Sequence, residues 1–271
     1  MNKKIFLEVR GIGTLHCHSP IKPNNMKNLA PITFLALLIG ITASAQEFEK
    51  KLSSFDKIIV SPKINLILTQ GDTESIRMVY ANISSDKINI EVKGNELHLY
   101  LDDARITEKH ERINHNEYES KVSVYRNAEL TAYVTYTQLK SLQVRGEQEV
   151  TCRGELANDK FKLKAYGEAE ITLESVNTEK FKTVAYGENK IKIIGKADHQ
   201  RYRLYGENKI DSRRFEGITI STTLYGEGRL SVNSKEEVRI NAIGEPVIYV
   251  DGTSIINKGI VIGKVDIRNH N

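Results

Sequence analysis

Residues 185–191 read AYGENKI, residues 204–210 read LYGENKI, and residues 224–230 read LYGEGRL; Tyr166-Gly167-Glu168 stands one copy earlier. With the glycine as origin, the motif recurs at Gly146, Gly167, Gly187, Gly206, Gly226 and Gly244, and more weakly at Gly263. The steps are 21, 20, 19, 20, 18 and 19 residues. An enzyme needs each catalytic residue once. A motif copied at nearly fixed spacing is architecture first, and becomes a site only where the copies line up in space.

Two residues and four residues before each glycine come Leu142/Val144, Leu163/Ala165, Thr183/Ala185, Tyr202/Leu204, Thr222/Leu224 and Ile240/Ala242. Four and six residues after it come Val150/Cys152, Ile171/Leu173, Ile191/Ile193, Ile210/Ser212, Leu230/Val232 and Ile248/Val250. Period-two alternation on both sides of a glycine predicts two short strands joined by a bend. Glycine suits the bend because it accepts positive φ and close backbone approach. One repeat is too small to bury a face alone, so stacked repeats must share a core. The expectation is an all-β fold, a right-handed parallel β-helix or β-solenoid with ~20-residue coils lying ~4.8 Å apart. An antiparallel sandwich built from the same strands is the rival, but it has no reason to keep Tyr-Gly-Glu in register.

Residues 46–101 are also strand-rich, with alternating runs at 57–60, 64–68, 76–80, 88–92 and 97–101. No Gly-Glu register appears there, which predicts a less regular N-terminal strand layer capping the array. Residues 102–121 (DDARITEKHERINHNEYESK) lack aliphatic alternation and read as an exposed loop, with His110 and His115 as solvated side chains. No Pro/Gly/Ser-rich linker interrupts residues 46–271, which read as a single solenoid domain.

The chain of 271 residues is 39% hydrophobic and 27% charged, a globular composition. Residues 26–45 (MKNLAPITFLALLIGITASA) combine Met26 and Lys27, an uncharged apolar run, and a small-x-small end at Ala43-Ser44-Ala45. That is the anatomy of a secretory signal peptide, with cleavage before Gln46. The apolar run is short for a spanning helix, which needs roughly 20 residues; a retained N-terminal anchor is the other reading. Residues 1–25 make little sense ahead of such a signal and read as an extra or untranslated leader, with translation starting at Met26. The two histidines around Cys17 in that leader cannot close a tetrahedral metal shell alone. Removing residues 1–45 turns a net charge of +4 into 34 basic against 34 acidic residues, which leaves no net basic footprint for nucleic acid. Only Cys152 remains, so no intrachain disulfide can form. The expected location is beyond the inner membrane: periplasmic, outer-membrane-associated or secreted, and not transmembrane once the signal is removed.

The entry FDKIIVSPKINLILTQGD (55–72), the middle AYVTYTQLKSLQVRGEQEV (132–150) and the recurring strand-Gly-polar-strand units resemble the autotransporter adhesin "head GIN" domain family of Bacteroidetes, over about residues 52–255. The resemblance implies a repetitive β-fold, a signal peptide and, by the family's name, adhesion; it carries no catalytic residues. The usual unit of that family looks like Gly-Ser-Gly-Asp followed by Ile. Here Ser and Asp are replaced, giving Tyr-Gly-Glu-Asn/Ala-Lys/Glu-Ile.

If the pleat runs unbroken through the bend, Tyr and Glu on either side of the glycine point outward. Tyr166, Tyr186, Tyr205 and Tyr225 then form a four-deep ladder, with Glu147, Glu168, Glu188, Glu207, Glu227 and Glu245 beside it. The next outward column, Glu149, Glu170, Lys190, Lys209 and Arg229, changes sign midway. Neighbouring carboxylates ~4.8 Å apart repel by about 1 kcal/mol in water and about 3.5 kcal/mol at an effective dielectric of 20. The early repeats hold Glu147, Glu149, Glu168 and Glu170 without a basic column. That group is either a solvated acidic edge or a weak Ca²⁺ candidate, since Ca²⁺ takes 6–8 oxygens. The tyrosines are either a packing ladder or a platform for a sugar chain, with ring faces on the apolar sugar face and Glu168, Glu188, Glu207 and Glu227 bonding its hydroxyls. Asn189 and Asn208, at inward parity, predict an internal amide ladder. Cys152 falls in an apolar column and reads as a small core residue.

No Ser-His-Asp spacing, HExxH or CxxC appears, and Gly226-Glu227-Gly228 lacks the third glycine and following helix of a phosphate loop. The reading is a non-enzymatic exported binding module without a cofactor, with a glycan, a cell-envelope component or a protein as partner. Oligomeric state is not encoded in any of these features. The rival is a polysaccharide-active β-helix enzyme, because glycosidase chemistry needs only two carboxylates at a set distance.

Overall fold

The computed structural model describes residues 45–115 and 118–269. The expected leader (1–25) and, apart from Ala45, the expected export signal (26–45) lie outside the described residues. Five long strand segments, Glu149–Gly167, Glu170–Gly187, Lys190–Gly206, Lys209–Gly226 and Arg229–Gly244, stack in parallel, each one a coil of a β-solenoid. Registration is residue for residue at the bend: Gly146 lies opposite Gly167, Gly167 opposite Gly187, Gly187 opposite Gly206, and Gly226 opposite Gly244. Between Gly206 and Gly226 the register is carried by Tyr205 opposite Tyr225. Letters some 20 apart in the text are therefore neighbours in space.

Each coil has a second corner where the register slips, as between Cys152 and Glu155 or between Leu173 and Val176. The alternating residues point between these corners into one core. Val150, Ile171, Ile191, Ile210, Leu230 and Ile248 form a continuous buried column, each side chain contributing about 1.5–3 kcal/mol by leaving water. The column through Leu163, Thr183, Tyr202, Thr222 and Ile240 is buried too, although it mixes polar and apolar residues. Two of its polar members find partners inside: Tyr202 donates to Gln200 Oε1 at 2.9 Å, whose Nε2 donates to the Phe215 carbonyl at 3.1 Å, and Thr222 Oγ1 donates to the Arg239 carbonyl at 3.3 Å, whereas the buried Thr183 hydroxyl has no partner among the described residues.

The bend needs glycine for two reasons. Gly146, Gly167, Gly187, Gly206, Gly226, Gly244 and Gly263 all have φ between 100° and 121°. A Cβ on Gly187 would also sit 2.2 Å from the Gly167 carbonyl oxygen, inside any contact a real Cβ makes. That carbonyl instead accepts a hydrogen bond from the Glu188 amide at 2.8 Å, so one coil clips onto the next at the corner.

The N-terminal half is more regular than its sequence suggests. Lys57–Val60 and Asn65–Gln70 continue the same columns, with Ile58 opposite Leu142 and Leu66 opposite Val150. Glu96–Leu101 and Glu129–Tyr136 stack on them in parallel as a further coil. The true capping strands are antiparallel: Ser75–Ala81 on Glu129–Tyr136, Gln46–Lys51 on Ser75–Ala81, and Ile88–Lys93 on Glu96–Leu101.

Residues 102–121 are not simply an exposed loop. They hold the strand His110–His115, which pairs antiparallel with Tyr118–Ser123 in a separate two-stranded sheet. The ribbon pairs only with itself, and residues 102–121 carry no apolar alternation in sequence that could announce it. At the other end, Ile255–Gly263 and Asp266–Asn269 add the final parallel strands, and Ile255, Ile260 and Ile262 stand exposed. Among the described residues no helix is long and apolar enough to cross a membrane.

Candidate binding face

The parity expected around each glycine is observed. Tyr166, Tyr186, Tyr205 and Tyr225 lie in one register column on the outer surface. Tyr186 and Tyr225 are 42% exposed, whereas Tyr166 and Tyr205 are half-buried. Successive ring centroids are 5.5, 4.5 and 5.3 Å apart, and the planes lie within 6° of parallel. Rings this close and this parallel must overlap face to face with an offset. The inner rings therefore use much of their faces on one another and present edges and hydroxyls outward. This differs from the flat strip expected from the sequence, in which ring faces were free for a sugar. The strand spacing itself brings the rings into stacking range.

Beside the ladder, Glu168, Glu188, Glu207 and Glu227 stand exposed, one residue beyond the bend. Glu147, Glu149 and Glu170 are exposed as well, and Glu149 lies directly opposite Glu170. Among the described residues no group of three or more His, Cys, Asp or Glu side chains is placed to hold a metal ion. The sign change in the next column is real: Glu170 lies opposite Lys190, which continues into Lys209 and Arg229.

Under the ridge, Asn189 and Asn208 are fully buried. Asn189 Nδ2 donates to Asn208 Oδ1 at 2.9 Å and to its own coil's Tyr186 carbonyl at 3.0 Å. Asn208 Nδ2 repeats this toward the Tyr205 carbonyl at 2.9 Å, and Asn189 Oδ1 accepts from the Ala169 amide at 3.2 Å. The amides thus tie the backbone at two of the tyrosines to the corner behind them and fix where the rings emerge. Gln148 fills the same position one coil before Ala169, donating to the Arg145 carbonyl at 2.8 Å and the Ser61 carbonyl at 3.3 Å.

Cys152 is buried as expected, 3.4 Å from the Tyr136 hydroxyl, and burial pushes its thiol up to about 11.

One feature of this face escaped the sequence reading. On the strand run leading to each bend, the outward positions carry Lys160, Lys180 and His199 in one column and Lys162, Lys182 and Arg201 in the next. Lys164 and Arg203 follow between these columns and the tyrosines. The first two columns wall an open groove of about 930 Å³. Lys162 is held below the usual lysine range by burial and by Lys164 and Lys182; Lys182 is lowered by burial and by Arg203 and Arg201. Net neutrality conceals this because the charges are segregated by column, not by segment. The signal lay in the polar phase of the alternation, at FKLK (161–164) and RYR (201–203).

No curated protein matches the sequence. Solved structures that share the fold, each aligned over 84% of this chain, include the following three. They are a putative adhesin from Bacteroides fragilis (TM-score 0.70, 18% identity, 98% of that chain), a putative lipid binding protein from Parabacteroides distasonis (0.62, 17%, 97%) and a putative adhesin from Parabacteroides merdae (0.61, 13%, 96%). Residues 54–254 match the family model described as "Putative auto-transporter adhesin, head GIN domain". That match runs from the first N-terminal coil through the glycine corners, and the chain belongs to the auto-transporter adhesin head GIN domain family.

Proposed function

We propose that this protein is an exported, non-enzymatic β-solenoid that acts as an adhesin-type binding module at the cell envelope. In this reading residues 26–45 supply the export signal and residues 46–271 are the working domain. The binding surface is the ridge of Tyr166, Tyr186, Tyr205 and Tyr225 with Glu168, Glu188, Glu207 and Glu227. The observation carrying this reading is the parallel stack of four tyrosines held in register on the surface. A packing role alone gives no reason to leave Tyr186 and Tyr225 open to solvent. The row of phenol hydroxyls, edged by carboxylates at the same spacing, offers repeated donors and acceptors to the hydroxyls of a glycan chain. Membership in an adhesin-type family agrees with a binding role.

The test is a glycan array with the chain from Gln46 onward, set beside the Tyr186→Ala/Tyr205→Ala variant. Loss of glycan binding at temperatures where the variant stays folded supports the ridge. Unchanged binding, with only stability reduced, leaves the ladder as packing.

A further inference from the structure

We infer that the cationic groove beside the tyrosine ladder binds an extended acidic polysaccharide, whose carboxylates or sulfates pair with lysine and arginine columns along the solenoid axis.

Four observations carry this. One column runs the length of the groove: Lys57, Ser141, Lys162, Lys182, Arg201, Ser221 and Arg239 occupy successive strands at one register position, six steps of ~4.8 Å or about 29 Å in all, with Lys162, Lys182 and Arg201 as its consecutive cations. The cations of one column lack ion-pair partners. Among the described residues Lys162, Lys182 and Arg201 form no ion pair, whereas other cations lining the groove do: Lys57 with Glu96, Lys140 with Asp56, Lys180 with Glu179 and Arg239 with Glu237. Burial first, and then the neighbouring cations, lower the affinity of Lys162 and Lys182 for their protons. A bound polyanion relieves that repulsion, so folding and binding favour the same ligand. Finally, the groove is narrow. Across the strands its lining runs from Lys160 to Lys164, about 13 Å, a width for one extended chain.

The chemistry selects a polysaccharide. A pyranose chain advances by about one coil spacing per sugar, so successive anionic groups meet Lys162, Lys182 and Arg201 on three successive coils. A nucleic acid duplex is too wide for the groove, and a bilayer surface needs a flat or convex face. Lysine serves here as a point charge for carboxylate or sulfate. The groove uses columns other than the Tyr–Glu ridge, so this inference and the proposed ridge stand or fall separately.

The test uses the chain from Gln46 onward, with heparin and polygalacturonate as probes and neutral dextran, single-stranded DNA and anionic phosphatidylglycerol vesicles as comparators. The variant is Lys162→Gln/Lys182→Gln/Arg201→Gln, which removes repulsion and is expected to fold at least as stably as the parent. Expected results are binding to an acidic polysaccharide that weakens with salt, a rise in the parent's melting temperature on adding it, and a loss of about tenfold or more in the triple variant. The Tyr186→Ala/Tyr205→Ala variant should keep most of this binding. The inference is overturned if neither acidic polysaccharide binds at low salt, if the triple variant binds as well as the parent, or if only DNA or vesicles bind. Should the triple variant unfold, the single variant Lys182→Gln takes its place, and binding equal to the parent's again overturns the inference.

Discussion

The side-chain amide of Asn189 donates to Oδ1 of Asn208, one coil further on, at 2.9 Å and wholly out of contact with solvent. Truncating Asn189 to Ala leaves the Tyr186 carbonyl and the Ala169 amide without their side-chain partner. The expected loss is about 1–3 kcal/mol, read by urea denaturation. In a double-mutant cycle with Asn208→Ala the two losses should couple by at least about 0.5 kcal/mol. Strict additivity would mean the ladder is not one unit.

Two glycines give opposite expectations for the same substitution. Gly187 has φ +105° and a carbonyl 2.2 Å from where its Cβ would be, whereas Gly94 has φ +61° and open space around it. Gly187→Ala should cost at least about 3 kcal/mol, through strain plus forced separation of two coils. Gly94→Ala should cost about 1–2 kcal/mol from the left-handed backbone alone. Equal losses in a denaturation experiment would remove close coil stacking as the reason for glycine at the bend.

The ring stack predicts a positional difference among identical substitutions. Tyr186 touches a ring on each side, while Tyr225 touches one. Tyr186→Ala should therefore lose about 1–3 kcal/mol and Tyr225→Ala about 0.5–1.5 kcal/mol. Thermal melts of the two variants under one buffer decide it.

Cys152 supplies a pH dependence with a definite sign. Burial raises its thiol from an ordinary value of 9.0 to about 11 in the folded chain. The unfolded chain releases this proton first, so the thiol's contribution is intact below about pH 9 and declines as pH climbs toward 11. The decline is on the order of 2 kcal/mol. The difference in stability between parent and Cys152→Ala should shrink by that amount between pH 8 and pH 11. A constant difference would contradict it. At pH 8 a thiol reagent should label Cys152 only as the chain unfolds.

The coils between Gly146 and Gly244 were legible because one physical demand, a positive-φ bend under an adjacent backbone, admits one residue type each time. The first coil was not, since Lys63 takes the positive φ there (71°) in a Ser61-Pro62-Lys63 corner, and the coil before it carries a long insertion at the equivalent corner. Tyr, Glu and Asn parity followed from the pleat. The ring tilt did not, because offset stacking is settled by neighbours in space. The basic groove was hidden by averaging: Lys162, Lys182 and Arg201 are 19 or 20 letters apart, and charge summed along the chain cannot see a column.

Nearly identical corners have a consequence for attachment. If the ridge binds a polymer as proposed, one whose repeat matches the coil spacing would meet similar corners at Tyr186 and at Tyr205, with little preference for one alignment over the next. Such a strand could creep along the rod in single-coil increments without letting go, each partial release being answered by recapture at high local concentration. Grip of that kind resists detachment while yielding to slow shear.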